Sequence, residues 1–425
     1  MNILFITNCY YPNGDATSVV VHNLARAFLK KHCNVHVLVL TYEGKSLTIC
    51  EKDGVRITNL LVPELGGLRN IFNNICIWKP ETMRIFFEKI VSVLKFRYSY
   101  AYKRYYELPA KLKGFIRGIK KIISEEKVDL IIPTLMPSEA GHALICMKDI
   151  SVPFAVYQLD TYWNNATLPQ KYSSDRLELE RHINKRAIFN ITTPQIFKSN
   201  LLKDKRLTRK QIVAEFPMIL EDEYCGQLGA MNDIRHAVFL GTLYADIRPP
   251  EKIIKIISNI SRNDLIFDFY GSNQNLVSDT AHYIKAKCLL ALHGEVPTEE
   301  AGIKKREADF LVNIDNTCPQ QVPSKIFEYI STGKPIINFY FTEESSTIPY
   351  LKRYPLVLNI NVNITQPLEA ARKIESFVED SFGENVSWEY IVRTYKKNTP
   401  EYVADQFLAA YEKFCTSEMK NPERK

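Results

Sequence analysis

The 425-residue chain has no GxxxxGK[ST] loop and no GxGxxG after an apolar run. Phosphate binding of the P-loop and dinucleotide-fingerprint kinds is therefore excluded. Its nine cysteines are scattered, with no C-x-x-C pair. That pattern excludes a cysteine zinc site and a disulfide framework, and suits free thiols in a reducing cytosol. No His, Cys and carboxylate set stands at metal-ligand spacing, and no Asp-x-Asp pair follows a strand, so no metal is expected. No apolar run approaches the length of a membrane span. The opening MNILFITNCYYP lacks a basic n-region and a long apolar core, and reads as a first strand and not as a signal peptide. Low-complexity tracts and internal repeats are missing as well. The formal charge of +7 is weak evidence for nucleic acid in a chain this long.

What is there is ordinary globular composition, 46% hydrophobic and 24% charged, with length for two domains. The first half alternates apolar strand candidates (NILFIT, NVHVLVLTY, GVRITNLLV, VDLIIPT, PFAVYQLD, FNITTP) with helical patterns. The first of those helices carries Val20, Leu24, Ala27 and Phe28 on one stripe. The second half begins again with HAVFLGTL, LIFDFYGS, CLLALHGEV, ADFLVNID, KPIINFYF and YPLVLNI. Two such runs predict an α/β protein of two doubly wound parallel sheets. Residues 1–219 are expected to form the first domain, 220–235 a polar linker and 236–387 the second domain. The remainder comprises C-terminal helices over 388–415 and a polar tail over 416–425.

Ligands of doubly wound sheets bind beyond the carboxyl ends of the strands. The loops to inspect are then 8–17, 134–142, 158–163, 241–250, 271–275, 293–298 and 316–324. VPSKIFEYISTGKPII, from Val322 to Ile337, predicts a short helix opened by Pro323. Free N–H groups at Ser324 and Lys325 suit an anion such as a diphosphate. Glu328, one turn in, suits two adjacent ribose hydroxyls; the alternative is a solvated helix residue. Arg248 stands in a strand-to-helix loop, suited to a phosphate clamp or to a plain surface position. Asp160, just past a strand, suits a sugar hydroxyl or proton transfer, or else caps a helix. Gly14 allows close approach of the backbone to a ligand, though a glycine in a turn is usually only a turn. His142 and His293 lie near the same loops and fit structural roles at least as well.

On these residues the chain resembles the retaining GT-B glycosyltransferases of the large "group 1" family, glycosyltransferase family 4. The similarity runs through ILFITNCYYPNGDATSVVVHNLARAFLKKHCNVHVLVLTY, FLGTLYADIRPPEKIIKII, LHGEVPTEEAGIKKREADFLV and, most specifically, PSKIFEYISTGKPII. It implies two Rossmann-like domains facing across a cleft, with the last helix returning to the first domain. It also implies a nucleotide diphosphate sugar donor bound by the second domain, and retention without an essential metal or other cofactor. Glu328 matches the second glutamate of the family's E-x7-E motif, and Gln320 stands where the first would be. Thr242 occupies the position of a phosphate-binding arginine, and Arg248 falls one residue past that of a lysine. Asp160 lies near the family's His-Asp segment, preceded by Leu159. The resemblance thus names Asp160 and Arg248 as catalytic. It names Gly14, Gly241, Arg248, Gly271, Gln320, Ser324, Lys325 and Glu328 as donor-binding.

The activity expected is glycosyl transfer to a glycan or lipid-linked acceptor, in bacterial surface polysaccharide or glycolipid synthesis. The alternatives are a non-catalytic nucleotide-sugar-binding subunit and a nucleotide-sugar epimerase or hydrolase. The segment from Lys79 to Lys121 carries twelve lysines or arginines against three acidic residues, with aromatics between them. It suits an anionic membrane surface, or else a helical excursion with its aromatics facing the core. The expected place is the cytoplasm, with the inner membrane face as a second site.

Overall fold

A computed structural model of the chain describes residues 1–11, 15–41, 47–61, 109–135, 138–165, 168–208, 210–226, 233–277, 289–319 and 321–419. The chain forms two compact units, Met1–Pro217 with Pro400–Lys425, and Met218–Thr399.

In the first unit five strands lie in the order β3-β4-β2-β1-β5. They are β1 (Asn2–Thr7), β2 (Asn34–Thr41), β3 (Leu47–Lys52), β4 (Val55–Leu61) and β5 (Leu130–Pro133). All pair in parallel except β3, which turns back on β4. Asp53 and Gly54, at φ 50° and 78°, form its tight turn, the left-handed pair that a two-residue hairpin needs. Sequence periodicity missed β3 because LTICEK is a half-polar edge strand. Three more parallel strands follow: β6 (Val156–Gln158), β7 (Asn190–Thr192) and β8 (Gln211–Val213). Bridges from Ile131 to Phe154 and Thr134 to Tyr157 join them to β5. The strand cores are buried on both faces, as their continuous apolar runs require.

Helices α1 (Ala16–Lys30), α2 (Pro109–Glu125), α3 (Glu139–Cys146), α4 (Ser173–Arg186) and α5 (Pro194–Lys203) accompany this sheet. The α1 stripe of Val20, Leu24, Ala27 and Phe28 is buried, as its spacing predicts.

The second unit is a six-stranded parallel sheet in the order β11-β10-β9-β12-β13-β14. Its strands are β9 (Arg235–Leu240), β10 (Leu265–Tyr270), β11 (Leu289–Gly294), β12 (Phe310–Ile314), β13 (Ile336–Tyr340) and β14 (Val357–Asn361). Its helices are α6 (Glu251–Ile257), α7 (Thr298–Glu307), α8 (Lys325–Thr332), α9 (Ile348–Leu351), α10 (Pro367–Ser381) and α11 (Trp388–Thr394). Phe239, Phe267, Phe269 and Phe310 pack with Ile253, Ile257, Ile374 and Val378 of α6 and α10 on one face.

The chain then returns to the first unit as α12 (Pro400–Met419). Val403, Phe407 and Ala410 are buried on one stripe of it. Phe407 meets Phe28, Tyr157 and Phe189 edge-on, with ring centroids 5.8, 5.2 and 6.4 Å away.

Candidate functional site

In the second unit the carboxyl ends of β9 and β10 come unusually close. Gly271 has φ 134°, and a Cβ built on it would lie 1.9 Å from the Gly241 carbonyl oxygen. The Gly271 N–H donates to the Gly294 carbonyl at 2.7 Å, and the Gly241 N–H to that of Tyr270 at 3.0 Å. Glycine at 271 is thus a steric requirement and more than a turn preference.

Arg248 enters the same place. Its Nε donates to Asn316 Oδ1 at 2.7 Å and its Nη1 to the Thr242 carbonyl at 3.4 Å. Burial works against its charge and Asp315 works for it. Asn316 is fixed from its other side, since its Nδ2 donates to the Gln321 carbonyl at 2.7 Å. Asp315 is fully buried and accepts from the hydroxyls of Ser345, Ser346 and Thr347 and from the Asn316 N–H. Burial raises its carboxyl above the ordinary range against the pull of those donors. The sequence analysis singled out neither Asp315 nor the Ser345–Thr347 run, and took Asn316 only as the start of the 316–324 loop. The available signal was NIDN directly after an apolar strand.

Helix α8 begins two residues later than expected, at Lys325. Ser324 is its N-cap, without a side-chain cap bond, and Pro323 precedes the cap instead of opening the helix. Glu328 is not a solvated helix residue: it is 9% exposed. Its Oε2 accepts from Lys325 Nζ and Lys305 Nζ, both at 3.0 Å, and Lys305 also reaches Glu223 at 2.6 Å. Burial pushes the Glu328 carboxyl up, but the two ammonium groups outweigh it and hold it at about 2. Its Oε1 accepts no hydrogen bond from the described residues. The next residue, Tyr329, takes the helix back to the site, its hydroxyl 3.2 Å from the Leu240 N–H.

The Gly-Lys-Pro turn then has its explanation. Gly333 ends α8 in the left-handed region, φ 82°, where a Cβ would meet Asn385 at 2.4 Å. Lys334 Nζ donates to the carbonyls of Arg306 and Ala308 at 2.6 and 2.5 Å. It closes the C-terminal end of α7, where a cation also suits the helix dipole.

The structure thus gathers Gly241, Arg248 and Gly271, with α8 carrying Ser324, Lys325 and Glu328 tied in through Tyr329. Gly14 and Gln320 lie outside the described residues. Asp160 belongs to the first unit. It follows β6 in a bend and caps no helix, since the next helical turn begins at Gln170. Burial, and then Asp15, push its carboxyl up to about 6. Asp15 itself caps α1, accepting from the Ser18 N–H at 2.9 Å.

His293 bonds Asp268 at 2.7 Å and stacks on Tyr270 at 4.3 Å, a structural arrangement. His142 lies within α3. Residues 79–108 lie outside the described residues. The rest of that basic segment falls in α2, where Phe115, Ile119 and Ile122 are buried and Lys113, Arg117, Lys120 and Lys121 are exposed.

Neither a protein-family model nor a curated protein sequence matches the chain. Solved structures do match it along nearly its whole length. Sucrose-phosphate synthase from Thermosynechococcus elongatus is 13% identical, with 98% of this chain and 99% of that chain covered at a TM-score of 0.63. HepE from Anabaena, solved with UDP and glucose, is 11% identical, covered 99% and 100% at 0.59. WaaG, a glycosyltransferase involved in lipopolysaccharide biosynthesis, is 11% identical, covered 96% and 98% at 0.54. The chain has the GT-B fold that its sequence led us to expect.

Proposed function

We propose that the protein is a retaining, metal-independent glycosyltransferase of hexosyltransferase type. It moves a sugar from a nucleotide diphosphate sugar to a hydroxyl of a glycan or lipid-linked acceptor, in bacterial surface polysaccharide or glycolipid synthesis. One observation carries the reading. Glu328 is a buried carboxylate held ionised by two lysines, with one oxygen that accepts no hydrogen bond from the described residues. That oxygen suits a ribose hydroxyl donor. Arg248 and the helix mouth at Ser324–Lys325 suit the diphosphate, and Gly241 and Gly271 leave room for it. In the transfer, the bond from the anomeric carbon to the diphosphate oxygen breaks and the acceptor oxygen bonds that carbon. The acceptor's proton goes to the leaving phosphate, and Arg248 stabilises the developing anion. Asp160 serves the acceptor side by accepting a hydrogen bond from a sugar hydroxyl.

Thermal shift against a panel of UDP-, GDP- and dTDP-hexoses tests the reading. A donor at a hundredfold over its Kd adds about 2.7 kcal/mol of stability. Glu328→Ala should weaken that donor by about 2 kcal/mol, or roughly thirtyfold. No shift with any member, or equal affinity in the variant, overturns the assignment. Thr242, uncharged where a second cation is usual, favours one other reading: a non-catalytic binding subunit, marked by donor binding without turnover.

The exposed cations of α2 support peripheral contact with an anionic membrane at the inner face, each adding about 1 kcal/mol before screening. Equal, negligible sedimentation with anionic and neutral liposomes at low salt would remove the membrane from the proposal.

A further inference from the structure

The loop from Gln158 to Trp163 is held from behind by two fully buried ionisable side chains of one helix. Arg176 and Glu180 stand four residues apart on α4, both 0% exposed. They form no ion pair with each other. The Arg176 guanidinium donates to three backbone carbonyls: Tyr162 at 3.2 Å, Trp163 at 3.3 Å and Pro169 at 2.9 Å. Glu180 takes the complementary groups. Its Oε1 accepts from Gln158 Nε2 at 3.0 Å and its Oε2 from the Trp163 N–H at 3.3 Å. Asn200 on α5 backs both ends, giving Nδ2 to Gln158 Oε1 at 3.4 Å and taking the Trp163 indole N–H at 3.2 Å.

This arrangement is costly. A buried charge without a counter-ion is held only by hydrogen bonds, and a simple strand-to-helix connection needs neither charge. Burial alone pushes the Glu180 carboxyl up to about 7 against three donors that favour its ionised form. What the clamp fixes is the path of six residues. Four of them, Gln158, Leu159, Thr161 and Tyr162, are buried. Asp160 and Trp163 are the two that reach the surface, and the Asp160 carboxylate accepts no hydrogen bond from the described residues. The loop presents one unengaged carboxylate and holds its backbone on both sides.

We propose that Arg176 and Glu180 are positioning residues for Asp160, setting its carboxylate to receive a hydroxyl of the incoming sugar. The inference rests on the transfer reading above. A misplacement of about 1 Å in such a group costs about a hundredfold in rate. A residue that only holds the fold would show no such selective loss.

The test uses the full chain with the same panel of nucleotide diphosphate hexoses, scoring nucleoside diphosphate release with hexoses as acceptors. Glu180→Gln keeps the shape but leaves one acceptor oxygen where the carboxylate had two; Arg176→Lys gathers its donors on one atom, which cannot reach the three carbonyls that Nε, Nη1 and Nη2 serve. In each, amide exchange over 158–163 should quicken about tenfold while the central strands stay protected. Both should lower kcat about a hundredfold at unchanged donor KM, as Asp160→Asn itself should. Either one combined with Asp160→Asn should be no worse than Asp160→Asn alone. If a buried-charge variant fails to fold, Asn200→Ser loosens the same loop more mildly and should show the same signature. Quickened exchange with unchanged kcat, or full additivity with Asp160→Asn, overturns the positioning role. A parent protein that releases no nucleoside diphosphate overturns the transfer reading and the role with it, an outcome separate from any variant's behaviour.

Discussion

Lys305→Met is the sharpest test of how the second unit holds its candidate ligand-binding carboxylate. Lys305 is buried on α7 and bridges Glu223 at 2.6 Å and Glu328 at 3.0 Å. The methionine keeps most of the volume and removes the charge. Glu223 and Glu328 then lose their shared counter-ion, and only Lys325, at the surface, still faces Glu328. Breaking a buried pair by removing one partner costs about 3–5 kcal/mol. The Glu328 carboxyl gives a second estimate. Its depression from 4.5 to about 2, produced by Lys325 and Lys305 together against burial, corresponds to about 3 kcal/mol of native stability, of which Lys305 supplies a part and the loss of its second partner Glu223 adds to it. That stability is fully present above pH 4.5 and fades as pH falls towards 2, because the folded-state value lies below the unfolded one. The parent should therefore exceed the variant by about 3 kcal/mol at pH 7, and the gap should close in acid. Urea unfolding followed through Trp388 measures it in a Trp78→Phe, Trp163→Phe background, since Trp388 lies 6.0 Å from Tyr224 beside Glu223. A gap below 1 kcal/mol, or one that persists unchanged to pH 3, would refute the reasoning.

Four further outcomes are expected. Gly271→Ala places a methyl 1.9 Å from the Gly241 oxygen at a φ that alanine avoids, and should cost at least about 3 kcal/mol; a thermal midpoint within 2 °C of the parent would count against the close approach. Arg248→Lys keeps the charge but not the planar fork that bonds Asn316; UDP should bind about tenfold more weakly by calorimetry, and equal affinity would place the diphosphate elsewhere. Phe407→Ala removes a ring that three aromatics surround and should cost about 3–5 kcal/mol, while deleting 400–425 should leave an aggregating protein. A soluble truncation with parental stability would show that α12 is dispensable.

The strands were legible because both-face burial writes continuous apolar runs into the sequence. NILFIT, LIFDFY and FLVNI each announce a strand buried on both faces. The antiparallel β3 was not, because one open face makes its composition ambiguous. The site was legible only where one short segment carried it. Glu328 could be singled out within PSKIFE, but its ion partner Lys305 lies 23 residues upstream, across β12. Likewise Arg248 gives no hint of Asn316, 68 residues away. Arg176 and Glu180 look like an ordinary i,i+4 helix pair, and only the fold reveals that both serve a backbone loop. Pairings made by topology leave no local mark, whereas glycine, cap and strand signals do.

Helix α7 shows what such a pairing can hold. TEEAGIKKRE has no apolar stripe, and its one buried residue is Lys305. Among the contacts described, two polar links fasten it to the α8 region. Lys305 reaches Glu328 within α8, and Lys334, just past the end of α8, takes the carbonyls of Arg306 and Ala308. Either link alone keeps the two helices in register, so losing one leaves the other to limit the damage. Losing both removes the reason for α7 to dock. Lys305→Met and Lys334→Met should therefore cost more together than the sum of the singles, by more than about 0.5 kcal/mol, although residues this far along the chain would add if independent. Amide exchange should locate the excess, with 298–307 losing protection in the double variant and retaining most of it in each single one. Simple additivity, with α7 still protected in the double variant, would mean that the helix is held by something other than these two lysines.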